Sequence, residues 1–173
     1  IAWHAGVSKW LDRKNLNETS IGIELVNPGH SYGYKEFTFK QYEMLEKLII
    51  LLMRKYNIKL DRILGHSDIA PARKIDPGEY FDWHRLAKKK LSIWPKNILT
   101  VPKDIYSNKL LYNLLLEIGY DVENYYKDSI LAFKRRFIPN DLTYNINDIL
   151  LNVVYSVHNE FVKVRSLYLD KEK

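Results

Sequence analysis

The chain has 173 residues, 46% of them hydrophobic, which suits one medium domain, or a domain plus a small helical module, and argues against disorder. Its net charge of +6 favours an anionic partner (nucleic acid, a membrane surface or an acidic wall polymer) without choosing among them. It has no cysteine, so disulfides and thiolate metal sites are excluded, and its longest apolar run, residues 48–53, is far too short to cross a bilayer.

The chain opens at Ile1-Ala2-Trp3-His4, inside what reads as ordered structure, and further sequence is expected upstream. Residues 3–10 read as a strand end running into a loop at Gly6 and Ser8, and residues 11–20 as a polar loop. Asn17-Glu18-Thr19 fits a glycosylation sequon, a pattern short enough to arise by chance. Ile21-Gly22-Ile23-Glu24-Leu25-Val26, bounded by Ser20 and Asn27-Pro28-Gly29, has the signature of a buried strand. A Gly/Pro/Ser loop over 27–35 leads to a helix. There Thr38 and Gln41 have capping-box spacing, and Tyr42, Leu45, Ile49, Leu52, Met53 and Tyr56 follow a 3.6-residue period. Its apolar face is expected to pack on a sheet.

Residues 58–64 read as a second strand, 65–80 as a Pro- and Gly-punctuated loop, and 82–91 as a short helix. Pro95 and Pro102 in a polar setting place a domain boundary there: 1–94 as one domain, 95–104 as linker, and 105–173 as a helical unit. In that unit, residues 107–118 are amphipathic and stop at Gly119. Residues 129–137 form a second helix, ended by Pro139, and residues 145–169 a longer third.

Several side chains carry chemistry. Glu24 sits inside an apolar strand, where a charge is expensive without a partner; it either faces water on a half-exposed strand or stands next to a metal or substrate. In Gly65-His66-Ser67-Asp68-Ile69-Ala70-Pro71-Ala72-Arg73-Lys74-Ile75-Asp76-Pro77-Gly78, imidazole and carboxylate are both zinc ligands. Read alone, His66 is equally a bonded loop residue and Asp76 a turn former, and two ligands fall short of the three of a catalytic zinc site. His4, between Trp3 and a tight turn, is a candidate to line a cleft. His30 is expected to be exposed, His84 structural, and His158 a core or surface residue.

Three blocks in order give a specific resemblance: Ala2-Trp3-His4-Ala5-Gly6-Val7-Ser8; Leu16-Asn17 through Ser20-Ile21-Gly22-Ile23-Glu24; and Gly65-His66-Ser67-Asp68-Ile69-Ala70-Pro71 with Arg73-Lys74, Asp76-Pro77-Gly78, Phe81 and Trp83. The first 85 or so residues resemble the type-2 N-acetylmuramoyl-L-alanine amidase family, zinc enzymes that cleave the amide between N-acetylmuramic acid and L-alanine. The resemblance implies an α/β fold with a mixed central sheet flanked by helices. It implies His66 and Asp76 as Zn2+ ligands, Glu24 as the catalytic carboxylate, and Lys74 as the cation beside the metal. Trp3, His4 and Asn17 become candidates for contacting substrate. The family's third ligand is a histidine on an early strand, expected upstream of Ile1. This stretch alone is therefore expected to bind zinc weakly and cleave poorly.

Leu111 to Gly119-Tyr120-Asp121-Val122, followed by Ile130-Leu131-Ala132-Phe133-Lys134-Arg135-Arg136-Phe137-Ile138-Pro139, resembles a small three-helix peptidoglycan-binding module, with Lys134 where that family usually has Gln. Together the resemblances imply a monomer of the bacterial cell envelope acting on peptidoglycan or muropeptides, with no nucleic-acid partner and no membrane span. A fragment that binds wall pieces without cutting them is the alternative. A third reading is nucleic-acid binding through Lys134, Arg135 and Arg136.

Overall fold

Thr38 starts the first long helix in the way its spacing predicts. Its side-chain oxygen accepts from the Gln41 amide at 3.2 Å, and the Gln41 side chain accepts from the Thr38 amide at 2.8 Å. Helix α1 (Phe39–Tyr56) then runs to Asn57, whose left-handed conformation (φ 51°) ends it. Phe39 and the rest of the chain belong to a computed structural model that describes residues 2–169.

The face of α1 built from Tyr42, Leu45 and Ile49 packs on Phe37, Phe81, Trp83, Leu86 and Leu91, the last residues lying on and after α3 (Trp83–Lys88). The expected sheet beneath α1 is thus replaced by an aromatic cluster, with Phe37 and Phe81 edge to face at 5.4 Å and Phe81 and Trp83 at 4.8 Å. Glu46 enters this interface almost fully buried. Burial opposes its ionisation, yet hydrogen bonds from Arg85 and Lys89, both at 2.8 Å, hold its carboxyl below the usual range.

The mixed central sheet expected from the sequence is not formed among the described residues. The sheet found there is a two-stranded hairpin, β1 (Lys9–Trp10) with β2 (Arg13–Lys14), paired antiparallel. Residues 21–26 belong to no sheet: their backbone pairs with no described strand, Val26 O instead accepting from the Gln41 side chain at 2.7 Å, and Ile21, Ile23 and Val26 lie exposed. Residues 58–64 fold around a 3₁₀ turn, Leu60–Arg62, in place of the expected strand. The cause is a distant partner: Asp61 is buried and bonded by Arg165 at 3.0 Å, which ties the turn to the last helix.

After the short helix α2 (His66–Ile69) and α3, the tail contributes α4 (Asn108–Ile118), α5 (Val122–Phe137) and α6 (Asp148–Leu169). Ser107 caps α4 by accepting from Leu110 at 3.1 Å, and Gly119 ends it at φ 138°. A side chain at Gly119 would collide with the Trp10 indole, so the α4–α5 turn lies directly on β1. Helix α5 begins before the expected Ser129, with a break at Tyr125 (φ −138°) that separates its first turn from the predicted segment.

These helices share one core with the front of the chain. Leu111, Leu115, Phe133, Leu150, Val154 and Phe161 pack in a cluster with Ala5, Trp10, Leu16, Ile93 and Val101. Across residues 95–104 the backbone is itself pinned to α6, Leu99 donating to Ser156 and Val101 to Asn152, both at 2.8 Å. No described helix is long and apolar enough to cross a membrane.

Lys134 is fully buried, and each of its ammonium protons has an acceptor: Asp141 Oδ2 at 2.8 Å, Thr143 O at 2.9 Å and Asn145 O at 2.8 Å. It ties α5 to the loop before α6. Arg136 is 4% exposed. Two members of the Lys134–Arg136 run are therefore buried and use their charges inside the protein, while Arg135 is half-buried. Asp141 is held down to about 2, first by the Lys134 hydrogen bond and then by bonds from Thr143.

Replacing Lys134 by Met should strand two loop carbonyls and lower stability by about 2–3 kcal/mol, measured by urea unfolding. The acid limb gives a separate check. Because the Asp141 pKa is depressed in the folded state, its contribution is complete above the ordinary carboxylate value, near 4, and is lost as pH falls through about 2. Acid unfolding of the wild-type protein should show this loss, and K134M should have lost most of it.

Candidate metal and catalytic site

The three motif blocks meet around the carbonyl of Ala5. Asn17 draws residues 4–6 into a tight turn by accepting from the amides of His4 (3.0 Å), Ala5 (2.7 Å) and Gly6 (3.2 Å) on one oxygen. Gly6 sits at φ 59°, and a side chain there would strike the Arg73 guanidinium. Arg73 in turn donates to the Ala5 and Val7 carbonyls at 2.7 and 2.9 Å, joining the third block to the first. The second block joins through Gly22, whose missing side chain makes room for the His4 ring.

His4 has both ring nitrogens occupied. Nδ1 lies 2.8 Å from Ala2 O and Nε2 lies 2.7 Å from Ser20 Oγ. Its ring is therefore part of the scaffold that presents the turn. Trp3 beside it is 87% exposed, a bare aromatic face at the edge of the site. Asn17 commits its side-chain oxygen to the backbone.

His66 opens α2, and Asp76 lies at the far end of the loop, ahead of a cis bond to Pro77. The Ser67 amide bonds the Asp76 carbonyl at 2.9 Å, which folds the loop back on itself. This brings His66 Nδ1 to 3.0 Å from Asp76 Oδ2, with His66 Nε2 3.2 Å from Ala5 O. The loop partly shields Asp76, which works against its ionisation. The His66 hydrogen bond and the His66 and Lys74 charges outweigh that and lower its pKa. Lys74 thus contributes positive charge at the same place. The side chain of His66 is largely covered, whereas that of Asp76 is 58% open to solvent.

The donor set fits part of a metal site. A ligating histidine ordinarily donates its second N–H to a carbonyl or carboxylate, fixing its tautomer. Here Ala5 O is placed to accept from Nε2–H, which leaves Nδ1 beside a carboxylate oxygen, two donor atoms that fit one cation. Among the described residues, no group of three or more His, Cys, Asp or Glu side chains gathers as a metal site.

Glu24 lies on the extended 21–26 segment, exposed, lining a groove with Thr38, Gln41 and Met44 of the start of α1. No hydrogen bond joins it to His66, Lys74 or Asp76 among the described residues. The remaining histidines have other partners. His30 pairs with Glu79 at 3.0 Å and stacks on Tyr34, His84 packs against Trp94, and His158 bonds Glu117 at 2.6 Å.

Sequence reasoning assigned no role to Tyr34, Arg73 or Asp68, and named Arg136 only in the nucleic-acid reading. Tyr34 donates to Pro77 O at 2.7 Å and accepts from Tyr80 N at 3.1 Å; burial pushes its hydroxyl up to about 12, so it stays a donor. Its ring fills the space left by Gly78, at φ 88°. The Gly65 to Asp68 spacing was a usable signal for Asp68, because a carboxylate three residues on can accept the Gly65 amide, as it does at 2.8 Å.

The family profile described as N-acetylmuramoyl-L-alanine amidase matches residues 1–79. The chain is 37% identical to the N-acetylmuramoyl-L-alanine amidase AmiD of Escherichia coli over 156 residues, covering 80% of this chain and 56% of AmiD. It is 49% identical over 85 residues to the 1,6-anhydro-N-acetylmuramyl-L-alanine amidase AmpD of Haemophilus influenzae, covering 49% of this chain and 44% of AmpD. The chain thus spans about half the length of these curated relatives.

Among solved structures, AmpDh3 of Pseudomonas aeruginosa in complex with anhydromuramic pentapeptide superposes with a TM-score of 0.81 at 27% identity, over 92% of this chain and 69% of that one. E. coli AmiD in complex with anhydro-N-acetylmuramic acid-L-Ala-D-gamma-Glu-L-Lys gives 0.77 at 31% identity, over 92% and 68%. With the motif blocks drawn together as described and these matches running through both the loop region and the helical tail, the chain belongs to the N-acetylmuramoyl-L-alanine amidase family.

Proposed function

We propose that this chain is the catalytic part of a zinc-dependent amidase that hydrolyses the bond between N-acetylmuramic acid and L-alanine in peptidoglycan or muropeptides. The observation that carries the reading is His66 Nδ1 facing Asp76 Oδ2 at 3.0 Å while Nε2 is turned to a backbone carbonyl. His66 and Asp76 would hold the metal, and a histidine from outside these 173 residues would complete the set. Zinc bound there supplies a water of lowered pKa and a Lewis acid for the scissile carbonyl.

Glu24 takes the proton of the attacking water and passes it to the departing L-alanine amine, so the base of the first step is the acid of the second. Lys74 stabilises the negative oxygen of the tetrahedral intermediate, as a fixed cation does best at a partly desolvated edge. Trp3 offers an open ring face for the sugar. The relatives solved with muropeptide-like ligands support this substrate class, and the helical tail supports a place in the bacterial cell envelope, where the polymer is.

The alternative, a module that holds wall fragments without cutting them, draws on the two-donor set among the described residues. Release of an L-alanyl peptide from an N-acetylmuramoyl-L-alanyl peptide, lost with a chelator and restored by Zn2+, decides between them. Weak zinc uptake is expected of the 173 residues alone. Turnover should fall by about 10²-fold or more in Glu24→Gln, with ligand binding retained. In His66→Ala both zinc uptake and turnover should disappear. Muropeptide binding with no zinc-dependent turnover at any zinc concentration would favour the binding module.

A further inference from the structure

Asp68 is 1% exposed, and its carboxylate has donors on both oxygens. Oδ2 accepts from the Gly65 amide at 2.8 Å and from Arg136 Nη1 at 2.7 Å; Oδ1 accepts from the Tyr120 hydroxyl at 2.7 Å. Gly65 is the residue before His66. Tyr120 and Arg136 come from the helical tail, in the α4–α5 turn and on α5.

The Arg136 guanidinium touches the chain on each side of the 65–78 loop as well as within it. Nη2 donates to Ile63 O at 3.4 Å and to Ser92 Oγ at 3.1 Å, and the group lies 4.0 Å over the Trp83 ring. The Gly65 bond to Asp68 fixes the entry to α2, from which the His66 ring projects. The Ser67 bond to Asp76 O carries the constraint on to the second member of the pair.

We infer that Arg136 is a positioning residue for the His66–Asp76 site, acting through Asp68 to set where the Gly65–His66 backbone stands. Helix α5 is then a support of the site, in addition to any hold it has on the polymer. The inference rests on the metal-ligand reading of His66 and Asp76. A misplaced imidazole binds metal less well even when the fold survives, and losing an outer partner of a metal ligand typically weakens binding about 10–100-fold.

The test compares Arg136→Met and Arg136→Lys with Lys134→Met, a change of buried charge on the same helix whose bonds reach only residues 141–145. The readouts are Gly65 amide exchange and the His66 ring ¹⁵N shifts by NMR, with Zn2+ affinity by chelator competition. Arg136→Met should move the His66 shifts, speed Gly65 exchange beyond its global loss of stability, and weaken zinc at least about 10-fold. Arg136→Lys should recover part of each, and Lys134→Met should leave all three at wild-type values once stability is allowed for.

Equal behaviour of Arg136→Met and Lys134→Met, or unmoved His66 and Gly65 signals, overturns the inference. Where Arg136→Met does not fold, Asp68→Asn carries the same expectation, since it keeps the shape and removes the charge. If the wild-type chain takes up no zinc, the metal reading fails on that result alone, and the Gly65 and His66 signals still decide the positioning.

Discussion

A carboxylate taken out of water must be given back most of what solvent supplied, and the way Asp68 meets that demand organises the molecule. One oxygen is satisfied by an amide of its own loop and by a guanidinium 68 residues away; the other is satisfied by a phenol 52 residues away. Removing either distant partner leaves a buried charge short of donors, so the loop and the helical tail are bound to fold together. Burial and the neighbouring Asp68 charge hold the Tyr120 hydroxyl well above its ordinary pKa, which keeps it a donor across the physiological range.

Around that fixed point the site is built almost without regular structure. Asn17, Arg73 and Tyr34 each do with a side chain what a sheet does with its ladder: they collect backbone amides or carbonyls and hold the turns that carry them. The glycines at 6, 22 and 78 are where those groups come closest, and a methyl group at any of them would meet Arg73, His4 or Tyr34. Two of these contacts, Gly6 with Arg73 and Gly22 with His4, join one sequence block to another, and the third brings Tyr34 onto Gly78 from outside the blocks.

The longer helices were legible because their signals are local, whereas the four-residue α2 lies in a stretch read as loop. Thr38 and Gln41 lie three residues apart, Gly119 stands directly after an amphipathic run, and the pattern of α6 repeats within its own length. The pair His66–Asp76 was legible through motif likeness, and its short loop does bring the two together. What was not legible depends on partners far away in sequence. An apolar run such as 21–26 states that a strand is affordable, not that a neighbour is present, and Ile21 and Val26 accordingly lie exposed. Residues 58–64 have strand composition, but a buried Asp61 facing Arg165 settles their shape. The basic run Lys134-Arg135-Arg136 looked like surface because charges usually are; two of its members instead lie inside, one on a loop and one on Asp68.

The uneven exposure of the site residues bears on how they divide the work. His66 and the Ala5 carbonyl are covered, with Arg73 braced on the same carbonyl, whereas Asp76 and Trp3 open to solvent. Orientation is therefore set on the inner side, where rearrangement would break several bonds at once. Binding is left to the outer side, where a ligand can displace water at small cost. In the proposed zinc site the ring is held from behind and the carboxylate opens to solvent in front, so the pair would meet a cation without movement of the backbone, the preorganisation that a site built on loops requires.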